Sequence, residues 1–208
     1  MNSTSKIIEE AVSAFSALPG IGRKTAMRLV LHLARGDKAR TRELARAMNE
    51  LSENLKSCTQ CFSYCDGELC LICSDNRRNH RLVCVVESIR DLMAIEETQT
   101  FRGVYLVLGG LISPIDGIGP DKLHINPLFD RIKANEIDEI ILAVRPTIEG
   151  DTTAYYIHKN LPDPSVKVSM LARGVSFGSE LEYADELTLG RSLVNRTPYT
   201  LADQTTTV

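Results

Sequence analysis

The residues best suited to chemistry in this sequence are four cysteines arranged as two pairs. Cys58 and Cys61 form one Cys-x-x-Cys pair, Cys70 and Cys73 form a second, and eight residues separate the pairs. Each pair places two thiolates close enough to share one tetrahedral ion, and the polar, glycine-containing stretch between them can bend back as a hairpin. Four thiolates leave no open coordination position, so the spacing predicts a structural zinc site rather than a catalytic one.

Two further cysteines and a second kind of metal centre leave alternatives open. An iron–sulfur cluster would use the same four thiolates. Cys65 lies between the pairs and is either a spare thiol or a substitute ligand, whereas Cys84 lies in an apolar run and is expected to be buried. Clustered cysteines in a reducing compartment indicate metal binding rather than disulfides.

A second candidate site is the glycine-containing stretch LPGIGRKTA at residues 18–26. Gly20 and Gly22 flank one apolar residue and permit a tight turn with no side chains in the way. Backbone N–H groups of the turn and of the helix after it can then bind a phosphate. The stretch resembles the helix-hairpin-helix motif, which binds the DNA backbone without reading its sequence. A turn that only packs two helices, or only builds an oligomer, remains the alternative. The cations that would touch DNA phosphates are Arg23, Lys24 and Arg28.

Acidic residues at predicted strand ends form the third candidate site. Glu87 follows the run VCVV, and Glu149 and Asp151 follow a second apolar run, just before a predicted helix. Ligands gather at the carboxyl ends of parallel strands, where carboxylates suit Mg²⁺. The arrangement resembles the Toprim domain, although the first acid of the second motif is Glu149 where catalytic Toprim proteins carry Asp. We therefore predict no enzyme, and Mg²⁺ binding that is weak at most. Capping of the helix by the same acids is the alternative.

Positioning these sites requires helices before the cysteines and a sheet after them. Apolar residues recur every three to four positions through residues 6–56, with breaks at Pro19-Gly20 and Gly36-Asp37. Apolar runs then alternate with helical stretches, which predicts parallel strands buried on both faces. The predicted strands are Leu82–Val86, Val104–Leu108, Glu139–Val144 and Val166–Leu171, and the predicted helices are Ser88–Glu97, Pro127–Asn135 and Asp151–Leu161.

The predicted fold class is therefore α/β, with four regions. Residues 1–56 form a helical helix-hairpin-helix region that binds DNA, and residues 57–80 form a small four-cysteine zinc finger. Residues 81–175 form a Toprim-like, mostly parallel sheet with helices on both faces. Residues 176–208 form a short C-terminal segment with a partly flexible tail.

Charge is distributed unevenly along the chain. The net charge of the 208 residues is −3, yet residues 1–57 carry ten Lys/Arg against six Asp/Glu, and residues 81–208 carry twelve against eighteen. An anionic polymer would meet the N-terminal region first. No run of residues is apolar enough for a membrane helix, and the first residues do not resemble a signal peptide. We expect a cytoplasmic protein with no membrane partner.

The order of these motifs resembles that of the RecR family of bacterial recombination mediators. Arg145 departs from the Asn that the family more often has, and Ser176–Ser179 depart from its usual Pro-x-Gly-Gly. The segments that carry the resemblance are LPGIGRKTAMRL, CxxC-x8-CxxC, VCVVES, YLVLGGLISPIDGIGPDKL, PTIEGDTTAYYI and RGVSFGSELEY.

The resemblance implies both function and partners. It implies a homo-oligomer, commonly a ring tetramer, that binds RecO and in many bacteria RecF. It also implies a role in loading RecA onto single-stranded DNA at gaps, with single-stranded, double-stranded or gapped DNA as ligand. By the resemblance, the Toprim acids Glu87, Glu149 and Asp151 meet RecO. The rival hypotheses are a Mg²⁺-dependent Toprim nuclease acting on RNA or DNA, and a zinc protein that bridges partners without touching DNA.

Overall fold

The computed structural model describes residues 5–175, 178 and 180–198, in two compact units, Met1–Leu55 and Lys56–Val208. The predicted departure at Ser176–Ser179 falls largely outside the described residues, and the predicted flexible tail falls outside them from residue 199. In the described part of the chain, no helix has the length and apolar character needed to span a bilayer.

The first unit consists of three helices, as the apolar periodicity predicts. They are α1 (Lys6–Ser16), α2 (Arg23–Arg35) and α3 (Lys38–Asn54). The bend at Pro19-Gly20 separates α1 from α2. Asp37 caps α3 by accepting a hydrogen bond from Ala39 N at 2.8 Å. The core of the unit is small, and its fully covered side chains are Val12, Ala26 and Val30.

The second unit opens with the cysteine-containing segment and continues into one parallel sheet. Two short strands, β1 (Lys56–Ser57) and β2 (Tyr64–Cys65), pair antiparallel in the cysteine-containing segment. The main strands are β3 (Asn79–Val86), β4 (Gly103–Val107), β5 (Glu139–Ala143) and β6 (Lys167–Met170). Their order is β4-β3-β5-β6 and every pairing is parallel, so the predicted parallel sheet is confirmed.

Helices cover both faces of this sheet, as expected. Alternate residues of β3 point to opposite faces, so Val83 and Val85 enter one core while Cys84 and Val86 enter the other. The first core packs against α5 (Ile125–Lys133) and α6 (Ile148–Lys159), and the second packs against α4 (Ile89–Glu97). A last helix, α7 (Glu186–Val194), lies in the C-terminal segment.

One helix boundary differs from its predicted position in a way that matters for the acidic residues. The helix predicted to begin at Asp151 begins at Ile148, because the Thr147 side chain accepts a hydrogen bond from Gly150 N at 3.2 Å and caps it. Glu149 and Asp151 therefore both lie in the first turn of α6. Their carboxylates face the positive end of the helix dipole.

Candidate functional site

The four paired cysteines come together as one buried cluster. Each Sγ lies within 4.8 Å of the other three, and each cysteine is buried. Within the described residues, no other group of three or more His, Cys, Asp or Glu side chains is placed to hold one ion. The convergence of two short Cys-x-x-Cys turns brings sulfurs from both ends of the segment to one point. The cluster members are Cys58, Cys61, Cys70 and Cys73.

Hydrogen bonds to sulfur favour the thiolate form that a metal requires. Cys70 N donates to Cys58 Sγ, and Cys73 N donates to Cys70 Sγ, both at 3.4 Å. Hydrogen bonds from the Cys61 and Cys73 thiols also lower the pKa of Cys70. Four close, buried sulfurs with backbone donors are the ligand set of a structural tetrahedral site, and this set fits a metal such as zinc.

The two remaining cysteines lie outside the cluster. The Cys65 thiol donates a hydrogen bond to the Gly67 carbonyl at 3.1 Å and does not join the cluster. Cys84 lies in the middle of β3, where burial raises the pKa of its thiol to about 12. The expectation that Cys84 is a core residue is confirmed.

The cysteine segment is fixed to the edge of the sheet by contacts that the sequence analysis missed. Val107 N of the edge strand β4 donates to the Cys61 carbonyl at 2.8 Å. Phe62, at a φ of 61°, stacks on His124 with ring centroids 3.9 Å apart and 10° between the planes. His124 Nδ1 in turn lies 2.8 Å from the Val107 carbonyl. The segment thereby covers part of an edge strand, which would otherwise present unpaired backbone groups.

The glycine bend has the open geometry that phosphate binding needs. Gly20 has a φ of +77°, whereas Gly22 has an ordinary φ of −76° and forms the N-cap of α2. A side-chain carbon built at either glycine would meet no atom of this chain within 4 Å. Ala26 is fully buried against α1, which lets the two helices approach closely. The first N–H groups of α2 therefore face open space.

The three predicted DNA-binding cations differ in their partners. Arg23 is ion-paired with Glu9 of α1. Lys24 and Arg28 are exposed, one turn apart on α2, and neither pairs with an acid in the part of the chain that the structure describes. Their charges are thus available to an external anion. They share a shallow groove along α2 whose lining is Lys24, Met27, Arg28, Leu31, His32 and Arg35.

The predicted Toprim acids lie at the carboxyl ends of two neighbouring strands. Glu87 follows β3, and Glu149 and Asp151 follow β5, which pairs directly with β3. Arg145 holds Glu87 with two hydrogen bonds, from Nε to Oε2 at 2.6 Å and from Nη2 to Oε1 at 2.7 Å. The backbone N–H groups at the start of α6 and the Thr147 hydroxyl lower the pKa of Glu149.

Asp151 is held by two arginines from the C-terminal part of the chain. Arg173 Nη1 lies 2.7 Å from Asp151 Oδ1, and Arg191 Nη2 of α7 lies 3.7 Å from Asp151 Oδ2. The sequence indicated no role for Arg173 or Arg191, and Arg145 stood out only as a departure from the Asn that the family more often has. No spacing rule could have found these pairs, because each joins residues that are far apart in the sequence.

Models of three known protein families or domains match successive parts of this chain. The models described as "RecR, helix-hairpin-helix", "Toprim domain" and "RecR, C-terminal" match residues 8–52, 81–172 and 174–197. The glycine bend falls in the first match, and the acidic residues and Arg145 fall in the second. The four-cysteine segment lies between the first two.

Relatives of similar length match nearly the whole chain, among them three that are 48–54% identical to it. A protein of Phocaeicola vulgatus is 54% identical over 94% of this chain and 96% of its own length. One of Flavobacterium psychrophilum is 51% identical, over 96% and 97%. One of Porphyromonas gingivalis is 48% identical, over 94% and 95%. Each is named "Recombination protein RecR", a name for a recombination protein rather than an enzyme, in agreement with the prediction of no enzyme.

Proposed function

This chain belongs to the RecR family, and on that premise we propose that it is a DNA-binding recombination mediator that acts with RecO, and with RecF, to load RecA onto single-stranded DNA at gaps. The observation that carries the proposal is the glycine bend, where Lys24 and Arg28 have no acidic partner among the described residues and lie beside a helix N-terminus without a side-chain cap. A cytoplasmic location in bacteria, where the DNA is, belongs to the same proposal.

Contact with DNA is proposed to be electrostatic and independent of sequence. Lys24 and Arg28 neutralise neighbouring phosphates, and the N–H groups at the start of α2 donate to phosphate oxygens near Gly22. Nothing in this arrangement reads a base edge, so single-stranded, double-stranded and gapped DNA all remain ligands. Binding should weaken as salt rises, because each phosphate contact releases a counterion.

A homo-oligomer, commonly a ring tetramer in the family, is proposed to present several bends to one DNA molecule. The support is an uncovered apolar groove of about 400 Å³ in the helical unit, between α1, α2 and α3. Ile7 and Met48 on its rim are 78% and 53% exposed, which is costly for an isolated unit. Weak contacts on several copies then add through effective concentration.

Zinc is proposed as the metal of the cysteine cluster, held by Cys58, Cys61, Cys70 and Cys73. When bound, it would cross-link the two ends of a segment that is too small to bury a core of its own. The segment then presents the Cys61 carbonyl to Val107 and the Phe62 ring to His124, so the metal's role is to stabilise the fold.

The acidic edge of the sheet is proposed as the surface that meets RecO. Glu87, Glu149 and Asp151 lie together at the ends of β3 and β5, in the part of the chain that carries the excess of acid. The excess of acid over residues 81–208 as a whole suits a basic partner and discourages wrapping by DNA. The nuclease alternative is not favoured, because both carboxylate oxygens of Glu87 are already bonded to Arg145.

The test of DNA binding is a charge reversal with a matched control. In Lys24→Glu/Arg28→Glu, we expect affinity for single-stranded and gapped DNA to fall about tenfold or more, with a shallower dependence on salt. Lys38→Glu/Arg42→Glu makes the same change in charge at the same spacing on α3, where both residues are also exposed. Fluorescence anisotropy of labelled DNA at several salt concentrations measures both effects.

Two outcomes would contradict the proposal. If both double variants lose the same affinity, binding depends on net charge alone and not on the bend. If neither loses affinity, DNA is not bound at the bend, and if the wild type itself shows no DNA affinity, the chain bridges partners without touching DNA.

A further inference from the structure

The carboxylate that a Toprim-type metal site would use first is already fully bonded. The Glu87 side chain is only 16% exposed, and Arg145 reaches it from the solvent side with two hydrogen bonds of 2.6 and 2.7 Å. A side-on guanidinium–carboxylate pair of this kind uses both oxygens and is among the stronger hydrogen-bonded ion pairs. An ion could reach the Glu87 lone pairs that face Arg145 only by breaking this pair.

Arg145 also lies among the other acids of this edge. Its charge interacts with Asp91 and Glu149 as well as with Glu87. Asp91 is turned back to the N-cap of α4, where Ser88 N and Ser88 Oγ donate to its carboxylate at 2.9 and 2.7 Å. The Arg145 guanidinium is therefore hydrogen-bonded to Glu87 and also interacts electrostatically with two further acids of this edge.

The third acid of the motif is neutralised separately. Asp151 pairs with Arg173 at 2.7 Å and with Arg191 at 3.7 Å. Within the described residues, no three acids of this edge come together closely enough to share one ion. Mg²⁺ needs closely spaced oxygens at about 2 Å and gives up its water reluctantly. A fixed positive charge beside the same carboxylates would repel it further.

We infer that Arg145 is a built-in counter-cation that takes the place of Mg²⁺ at the Toprim edge of this chain. The residues present do not fit a divalent ion, which replaces the weak Mg²⁺ site expected from the sequence. The edge is assembled by guanidinium groups of the chain itself, and its geometry is independent of the divalent ion concentration. This inference does not depend on DNA binding or on any partner.

Mn²⁺, which is paramagnetic and can replace Mg²⁺ at carboxylate sites, provides the test. Titration of the full chain, with its cysteine-bound metal content measured first, is followed by electron paramagnetic resonance of the free ion. We expect Arg145→Asn to bind Mn²⁺ about tenfold or more tightly than the wild type, because two oxygens are released and a repelling charge is removed. Glu87→Gln/Arg145→Asn should lose this gain.

A matched control breaks an equivalent pair at the other end of the sheet. Arg81 holds Asp138 with two hydrogen bonds of 2.6 Å, so Arg81→Asn frees one carboxylate in the same way. The neighbouring acids Glu136 and Glu139 remain paired with Arg131 and Lys167. It should bind Mn²⁺ no better than the wild type.

Two results would overturn the inference. One is a folded Arg145→Asn protein, judged by circular dichroism, that gains no Mn²⁺ affinity. The other is a wild-type protein whose Mn²⁺ binding is lost in Glu87→Gln, and this comparison does not require the Arg145 variant to fold. Either result leaves the DNA-binding proposal intact, because no DNA is present in the titration.

Discussion

Gly20 and Gly22 lie two residues apart, yet their backbone conformations differ. Gly20 has a φ of +77°, a conformation that costs any other residue energy, whereas Gly22 has a φ of −76° that any residue adopts. Neither has an atom of this chain within 4 Å of where a side chain would begin. The described part of the chain therefore has room for a side chain at position 22, and we propose that a DNA phosphate approaches there.

Substitution of each glycine by alanine separates conformation from ligand contact. Gly20→Ala should lower the free energy of unfolding by about 1–2 kcal/mol, because alanine is strained at positive φ. Gly22→Ala should cost about 0.5 kcal/mol as a poorer N-cap, but should weaken DNA binding severalfold by crowding the phosphate. Urea unfolding and DNA anisotropy on the same samples measure the two effects. Unchanged DNA affinity in folded Gly22→Ala protein would argue that no phosphate approaches there.

At the scale of elements, the cysteine segment is held by its cluster on one side and by β4 on the other. Two short strands and one ring stack cannot supply a core for so short a segment, so the cluster must hold it together. The carbonyl of Cys61 bonds Val107 of the sheet edge, so loss of the cluster would also expose that strand.

Metal content distinguishes cluster cysteines from the others. Cys61→Ser should lose most of the bound metal and precipitate or unfold readily, because only three thiolates remain. Cys65→Ser is the matched control, since Cys65 is also buried in the segment but bonds the Gly67 carbonyl instead of joining the cluster. It should retain about one zinc per chain by elemental analysis. Full metal content in Cys61→Ser, or its loss in Cys65→Ser, would contradict the assigned ligands. Visible absorbance together with bound iron would show that the four cysteines hold an iron–sulfur cluster and not zinc.

At the scale of the molecule, a partly buried ion network joins three elements of the second unit. Glu96 of α4 accepts hydrogen bonds from Arg78 at 2.6 and 2.9 Å and from the fully buried Tyr105 of β4 at 2.7 Å. Arg78, just after the cysteine segment, also bonds the Gly103 carbonyl at 3.1 Å. Burial alone would raise the pKa of Glu96, but the hydrogen bonds from Arg78 and Tyr105 lower it overall.

The network predicts a pH dependence of stability. Glu96→Gln should lower the free energy of unfolding at pH 7 by about 2 kcal/mol, because Arg78 and Tyr105 lose a charged acceptor. A carboxylate whose pKa is lowered by folding stabilises above its ordinary value of 4.5 and loses that contribution as pH falls through the lower, folded value. The difference between wild type and Glu96→Gln should therefore be full at neutral pH and shrink in acid.

Urea unfolding across a pH series measures this difference, with Glu97→Gln as the control. Glu97 is the exposed neighbour in α4 and has no hydrogen-bond or ion-pair partner among the described residues. Its variant should follow the wild type at every pH. A Glu96→Gln deficit that stays constant down to pH 3 would show that lost packing, not lost charge, is responsible.

The sequence by itself determined the features that depend on near neighbours. The paired cysteines indicated a metal site. Apolar periodicity, with breaks at Pro19-Gly20 and Gly36-Asp37, indicated three N-terminal helices, and the later apolar runs indicated a parallel sheet covered on both faces. Each follows from spacings of a few residues, because helix period, strand alternation and chelation by a short turn are local constraints. The misplaced start of α6 shows the limit, since the Thr147 cap lies outside the apolar pattern.

Only the tertiary structure decided which charges meet. Arg145 meets Glu87 because β3 and β5 are neighbours with Val86 opposite Ala143, and that register sets the ends of both strands side by side. Nothing in the local sequence gives the strand order or the register, which depend on how the whole sheet buries its two faces. Two of the three acids that the sequence offered to a metal, Glu87 and Asp151, are therefore bonded to arginines that folding brings from elsewhere in the chain.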